Sequence, residues 1–157
     1  MTTVSAVFPQ NRLASLLKRP GGVKVSAAVA AAEANLQEIQ GEIVAEVDRA
    51  LELIQPAAKA AAEGARDAQR QVYAHAHVVA GLAATGGLED IGAAALNLCK
   101  LVDVYIAEES WNVEAVAVHL SVMSLLRSSS GQEEAALRRC ILAELSNIVG
   151  RQTSKGV

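Results

Sequence analysis

One long run of apolar residues at helical spacing limits what this chain can fold into. From Val25 onward, apolar side chains recur three and four residues apart over about eight helical turns. The run continues through Val29, Ala32, Leu36, Ile39, Ile43, Val47, Leu51 and Ile54. This spacing places the side chains on one face of an α-helix, whereas a strand would require alternation. The run therefore predicts a long helix with one apolar face, and Pro56 marks its end or a kink in it.

The rest of the chain repeats this periodicity in shorter segments. A second helix is predicted from about Arg66 to Thr85, where the paired glycines of "TGG" end it. A third begins at "LED", whose acidic residues suit the first turn of a helix. Its inward positions are Ile91, Ala94, Leu98, Leu101 or Val102, and Tyr105. This helix is interrupted at "EESWN". A fourth helix is predicted over "VEAVAVHLSVMSLLRS", which is apolar nearly all round, as in a helix packed on several sides. After the separator "SSSGQEE", a last amphipathic helix runs through Leu137, Ile141, Leu145 and Ile148.

Composition supports packed helices rather than a sheet. Only 3% of the residues are aromatic, Pro occurs three times, and no stretch alternates in the manner of a strand. The 157 residues suffice for one domain with a single core. We predict an all-α protein, an antiparallel up-and-down four-helix bundle with an additional N-terminal arm and C-terminal helix. The arm is residues 1–22, the bundle 23–152, and the flexible C-terminus 153–157.

Charge and targeting signals restrict the partners of the chain. Seventeen acidic against fourteen basic residues give a net charge of −3, which provides no basic surface for nucleic acid and no polybasic membrane anchor. The first twenty residues lack the apolar core of a signal peptide, and no window is apolar enough to span a bilayer. We expect a cytoplasmic protein whose partner is another protein. Cys99 and Cys140 form no CxxC motif, and we expect both as buried reduced thiols.

Two histidines lie two residues apart in the second predicted helix. With Val79 at the centre of the apolar face, His75 falls about 40° away and His77 about 160° away, since a helix turns about 100° per residue. The core stripe then consists of Val72, Ala76, Val79, Leu82 and Ala83. We predict that His75 packs in the core and that His77 faces outward. Because helical metal ligands converge at spacings of three or four, this pair does not form a shared metal site.

Small residues surround His77 on its outward face. Ala74, Gly81 and Ala84 leave the imidazole clear, while Arg66, Arg70 and Tyr73 lie along the same side. A histidine that reacts inside the active site of another protein requires such clearance, because the two proteins must approach without collision. An ordinary exposed histidine on an alanine-rich helix is the simpler alternative.

The segment "HVVAGLAATGGLEDI" resembles the signature of histidine phosphotransfer (HPt) domains, roughly HxxKGxxxxxG followed by an apolar residue. His77 matches the phosphorylated histidine, Gly81 the glycine one turn later, Gly87 the glycine that ends the helix, and Leu88 the apolar residue. The resemblance implies a bundle whose histidine lies midway along a helix. It also implies that His77 accepts a phosphoryl group from a receiver-domain aspartate and passes it on. The implied partner is a response-regulator receiver or a hybrid histidine kinase, and Mg²⁺ is expected on the receiver, with no cofactor on this chain.

The chain departs from the signature three residues after the histidine. Ala80 stands where the family has lysine, and Leu82 stands at a small polar position. In the family that lysine helps to hold the phosphoryl group, so Arg66 and Arg70 are the candidate substitutes here. The alternative function is a pseudo-HPt adaptor that binds a response regulator without phosphotransfer. The predicted partner-binding residues are Arg66, Arg70, Tyr73, Ala74, Ala80, Gly81 and Ala84, around His77.

Other catalytic arrangements fit the sequence less well. A diiron bundle needs Glu-x-x-His, but Glu114 lies five residues before His119. "ATGGLED" lacks the lysine and the preceding strand of a phosphate-binding loop, and no nucleophile elbow occurs. We therefore expect His119 to be a core or groove residue, with Tyr105 and Trp111 packing at a helix junction.

Overall fold

A computed structural model describes residues 21–128 and 135–153, which form five α-helices and no strand. The helices are α1 (Val25–Ala62), α2 (Arg66–Leu82), α3 (Glu89–Ala107), α4 (Val113–Ser128) and α5 (Ala135–Thr153). The predicted all-α fold class is confirmed, whereas the up-and-down order of the helices stays a prediction. None of the described helices combines the length and the apolar character needed to cross a membrane.

Several predictions fall partly outside the described residues. These are the N-terminal arm up to residue 20, the separator at residues 129–134 and the C-terminus from residue 154. The chain divides into two units within α1, one ending at Gln37 and one beginning at Glu38. The sequence placed its boundaries after residues 22 and 152, and those boundaries stay predictions.

Helix α1 passes through Pro56 and continues to Ala62. Of the two alternatives predicted at Pro56, the end of the helix is therefore excluded, and a kink stays a prediction. Proline removes one backbone N–H, so the carbonyl four residues earlier loses its helical donor. Burial on both sides of Pro56 offsets this cost, because Ile54, Ala57 and Ala61 are all buried.

A glycine turn ends α2, as the sequence predicted, although the helix stops at Leu82 rather than Thr85. The amide of Leu88 donates to the carbonyl of Ala83 at 2.8 Å, and the amide of Gly86 donates to the carbonyl of Leu82 at 3.2 Å. Gly87 has a φ of 75°, a left-handed conformation that glycine adopts without strain. This turn brings the chain back so that α3 packs beside α2.

Helix α3 is the centre of the core and packs against α2, α4 and α5. Its predicted inward residues are buried: Ile91, Ala94, Leu98, Leu101, Val102 and Tyr105. Gly92 gives close contact with α2, since a Cβ there would lie 3.2 Å from the Cβ of Ala83. Tightly packed small residues therefore fix the distance between the two helices that carry the candidate site.

The last two helices match the prediction in part. On α4, Val116, Leu120 and Met123 are buried, and the Oδ1 of Asn112 accepts a hydrogen bond from the amide of Ala115 at the start of the helix. The helix packs on α3 and α5, but Val118 and Leu125 remain exposed.

On α5, Leu145 is buried, and Ile141 and Ile148 are partly buried. Leu137 is exposed, so its predicted inward position is wrong. One residue later, Arg138 donates from Nη1 to the carboxylate of Asp90 on α3 at 3.2 Å. An ion pair rather than apolar packing therefore joins this end of α5 to α3.

Candidate functional site

His77 lies in the C-terminal half of α2, five residues before its last residue, with its side chain exposed. The opposite face of the helix carries Val72, Ala76, Val79 and Ala83, which are fully buried. The helical phase is therefore the one that the apolar spacing predicted. His75 is only partly buried, so it lies at the edge of the core rather than within it.

The space beside His77 is open on the side that a partner would approach. A Cβ added at Gly81 would meet no atom within 4 Å. Ala74 and Ala84 are also exposed, whereas Ala80 is partly buried. The main-chain oxygen of Ala80 faces Gly92 of α3, where an added Cβ would lie 3.8 Å away. The imidazole thus stands on a smooth surface of small residues.

Tyr73 lies one turn before His77 and stacks on it. The two ring centroids are 6.0 Å apart, and the ring planes differ by 21°. The two rings are nearly parallel neighbours, and the imidazole remains exposed. The site therefore offers an accessible imidazole beside an aromatic ring.

The two arginines of the predicted face are bound to carboxylates in exposed ion pairs. Arg66 donates to both carboxylate oxygens of Glu109, at 2.9 and 3.3 Å. Arg70 lies 4.0 Å from the carboxylate of Asp67. Exposed ion pairs contribute little to stability, so a partner could displace them. Along the helix axis, the backbones of Arg70 and Arg66 lie about 10 and 16 Å from that of His77, so they mark the edge of the face.

The register of α3 against α2 puts Leu96 level with His77, a placement that sequence reasoning missed. Two contacts set the register of α2 against α3: the Sγ of Cys99 lies 3.9 Å from the carbonyl oxygen of Tyr73, and Gly92 faces Ala80. Halfway between these contacts, Leu96 lies level with His77, on the same flank of α3 as Cys99 and Gly92 but further toward solvent. Leu96 is 48% exposed. One indication of this exposure was present in the sequence, because Leu96 lies outside the apolar stripe of α3.

His77 is exposed at the surface. A groove of about 610 Å³ runs between α1 and α4 past Lys59 and Trp111, and a smaller cavity of about 250 Å³ lies beside Arg66 and Glu109. Neither is lined by His77. An exposed imidazole without an enclosing pocket can act as a nucleophile only where a partner supplies the remaining catalytic groups.

His119 on α4 is fully buried, as expected for a core residue. Its Nδ1 lies 2.8 Å from the carbonyl oxygen of Ala115. That oxygen can only accept, so Nδ1 carries the proton. Nε2 is buried and finds no hydrogen-bond partner among the described residues. Burial lowers the pKa of His119 below its ordinary value, although the hydrogen bond to Ala115 opposes this change.

We expect the burial of His119 to make the protein less stable in mild acid. Because its folded pKa is lowered, the unfolded state binds more protons, and stability falls as the pH drops from about 6.5 toward the folded pKa. The free energy of unfolding, measured with denaturant at about pH 8 and about pH 5, should decrease less in His119→Leu than in the parent. Equal decreases in both proteins would contradict this assignment.

The sequence also predicted positions for two further aromatic residues and for the two cysteines. Tyr105 and Trp111 pack edge to face at the junction after α3, as predicted, with ring centroids 5.8 Å apart. Cys99 is buried and unpaired, and burial raises its pKa to about 11, which makes a reactive thiolate unfavourable. Cys140 is exposed, so the prediction of two buried thiols is wrong for this residue. The helix around it buries only a narrow stripe through Leu145 and Val149.

Within residues 21–128 and 135–153, no three His, Cys, Asp or Glu side chains come together as a metal site. No family model, curated protein or solved structure matches the chain. The functional assignment therefore depends on the geometry around His77 and on the resemblance of its segment to the HPt signature.

Proposed function

We propose that this protein is a histidine-containing phosphotransfer protein that accepts a phosphoryl group on His77 from a receiver-domain aspartate and passes it to another receiver. The observation that carries the proposal is the exposed imidazole in the C-terminal half of α2, with open space at Gly81 one turn later. A reactive side chain presented in this way can enter the active site of a partner. The proposal implies a cytoplasmic protein.

The chemistry requires little from this chain. A ring nitrogen of His77 with a free lone pair attacks phosphorus, a P–N bond forms, and the P–O bond to the partner's aspartate breaks with release of its carboxylate. The receiver supplies the Mg²⁺ and the acidic pocket that stabilise the transferring group. The ring of Tyr73 lies beside the imidazole, nearly parallel to it. Because the ring is exposed, solvent can exchange the proton of the other nitrogen.

The surface around His77 suits a receiver domain or the receiver of a hybrid histidine kinase. Receivers have an acidic pocket surrounded by apolar surface. On this chain the small residues Ala74, Gly81 and Ala84, together with Leu96 of α3, form the centre of the face, and Arg66 and Arg70 lie at its edge. Apolar residues at the centre of an interface and basic residues at its rim favour docking on an acidic partner.

Phosphoryl transfer from purified receivers tests the proposal. Receivers labelled on aspartate are mixed with the full chain, and the label on the chain is followed over time. The proposal expects a labelled species that is stable in base and labile in acid, as a phosphohistidine is. Absence of label on the chain with every receiver that binds it would contradict phosphotransfer.

Ala80 favours a second candidate, the pseudo-HPt adaptor that binds receivers without transfer. Neither arginine of the face lies within one helical turn of His77, so the described side chains of α2 offer no nearby cation in place of a lysine at position 80. A developing phosphoryl charge without a neighbouring cation loses electrostatic stabilisation. An adaptor would retain docking and lose only the chemical step.

The variant Ala80→Lys separates the two candidates. If the parent is an adaptor, we expect this lysine to create transfer or accelerate it about tenfold or more, with nearly unchanged receiver affinity. Gln71→Lys is the matched control, since it adds the same charge at an exposed position of α2 outside this face. Equal transfer by the parent and Ala80→Lys would instead indicate that the parent is competent through another cation.

A further inference from the structure

Helix α3 carries an exposed lysine, Lys100, beside the tyrosine of the site. The Sγ of Cys99 lies 3.9 Å from the carbonyl oxygen of Tyr73, and a Cβ added at Gly92 would lie 3.8 Å from that of Ala80. From the first contact to the second, the residue numbers rise on α2 and fall on α3, so the two helices run antiparallel. Lys100 directly follows Cys99, and its backbone therefore lies about level with that of Tyr73.

Lys100 points to the side of the molecule that exposes His77. Gly92 and Cys99 are buried on the side of α3 that faces α2. At about 100° per residue, Lys100 is turned about 90° from them, away from the buried stripe of α3. Leu96, which lies level with His77, is one turn before Lys100 on the same exposed side.

The side chains of His77 and Lys100 lean toward each other. In an α-helix each Cα–Cβ bond tilts toward the N-terminus of its helix. Because α2 and α3 are antiparallel, the imidazole leans toward the level of Tyr73, and the ammonium leans from that level back toward His77. The two backbone levels are about 6 Å apart along the axis, and packed helix axes lie about 8 to 10 Å apart. The flexible four-carbon stem of lysine can bring its ammonium to a phosphoryl group attached to the imidazole.

The ammonium of Lys100 has no carboxylate partner among the residues that the structure describes. The two arginines at the edge of the face differ in this respect, since Arg66 is bound to Glu109 and Arg70 lies beside Asp67. An arginine would have to leave its carboxylate before it could bind a phosphoryl group. Lys100 binds such a group without breaking an ion pair, and its point charge on a flexible stem suits a phosphoryl oxygen.

We propose that Lys100 of α3 supplies the cation that binds the phosphoryl group on His77. An ammonium beside the phosphoryl oxygens stabilises the negative charge that they carry during transfer. Lys100 thereby takes the part of the lysine that the HPt signature has where Ala80 stands in this chain. This inference rests on the proposed function, because it requires a phosphoryl group on His77.

Chemical phosphorylation of His77 tests Lys100 without a receiver. Phosphoramidate transfers its phosphoryl group to an exposed imidazole: a P–N bond forms on the ring, and the P–N bond of the donor breaks with release of ammonia. A His75→Gln background directs the label to His77, since His119 is fully buried. The titration of the phosphoryl group is then followed by phosphorus NMR. A nearby cation favours the dianion, so Lys100→Gln should raise the midpoint by about half a pH unit.

Two further variants control for charge and for folding. Lys100→Arg retains the cation and should keep the parental midpoint. Lys59→Gln is the matched control, since it removes the same charge from an exposed lysine in the groove between α1 and α4, and it should also titrate as the parent. Circular dichroism should show the same helix content in all of these proteins.

Transfer from a labelled receiver tests whether the cation acts on the chemical step. At saturating receiver, Lys100→Gln should slow transfer about tenfold or more while receiver affinity changes less than about threefold, and Lys100→Arg should restore most of the rate. A parental midpoint in Lys100→Gln, or a loss confined to receiver affinity, would overturn the inference. Absence of label from every receiver, together with the expected shift of the midpoint, would contradict the proposed function and still support the placement of Lys100.

Discussion

Replacing His77 with glutamine is expected to reduce phosphoryl label on the protein to background. Glutamine has a similar size and polarity but no nucleophilic ring nitrogen, so docking should persist while the P–N bond cannot form. Because His77 is exposed, we expect the free energy of unfolding to change by less than about 1 kcal/mol. The measurement is acid-labile label on the parent and the variant after incubation with a phosphorylated receiver.

His75→Gln is the matched control for this experiment. His75 lies two residues away on the same helix but is partly buried on the other face. Its replacement should leave transfer at the parental rate, provided that the melting curve shows a folded protein. Label that persists in His77→Gln and disappears in His75→Gln would show that the reactive histidine was assigned to the wrong face.

A large side chain at position 81 is expected to weaken receiver binding at least tenfold and to slow transfer equally. Gly81 lies one turn from His77 with open space around its Cα, so glutamine there would project into the path of a docking partner. The fold should not suffer, because glutamine has a higher helix propensity than glycine. Ala84→Gln, in the exposed turn just after α2, should act in the same direction.

Gly81→Ala provides the comparison that isolates size. Its added methyl group meets no atom within 4 Å, so clearance is retained and the helix gains about 0.5 to 1 kcal/mol from the loss of glycine flexibility. Receiver affinity is measured by titration and folding by circular dichroism melting. Unchanged binding and transfer in both Gly81→Gln and Ala84→Gln would contradict the proposed face. An unfolded Gly81→Gln protein would contradict the helical phase.

The sequence could predict the local features of α2 and α3 because each depends on near neighbours. The exposed position of His77 follows from an angle of about 100° per residue once the apolar stripe is known. The turn at Gly87 follows from the left-handed backbone that glycine accepts, and the acidic start of α3 from the helix dipole. These features require no knowledge of what lies across the bundle. The same reasoning left two alternatives at Pro56, an end or a kink, and the helix continues there because burial of residues on both sides of the proline outweighs one lost hydrogen bond.

Only the tertiary structure decided which residues from different helices meet. Leu96 lies level with His77 because tight packing at Gly92 sets the register of α3 against α2, and helical periodicity carries no information about that register. Arg66, at the edge of the face, forms an ion pair with Glu109, which lies 43 positions later in the sequence. The burial of an apolar residue likewise depends on whether another helix covers it, as the exposed Leu137 demonstrates. Periodicity fixes which way a side chain points, whereas contacts between helices decide what it meets there.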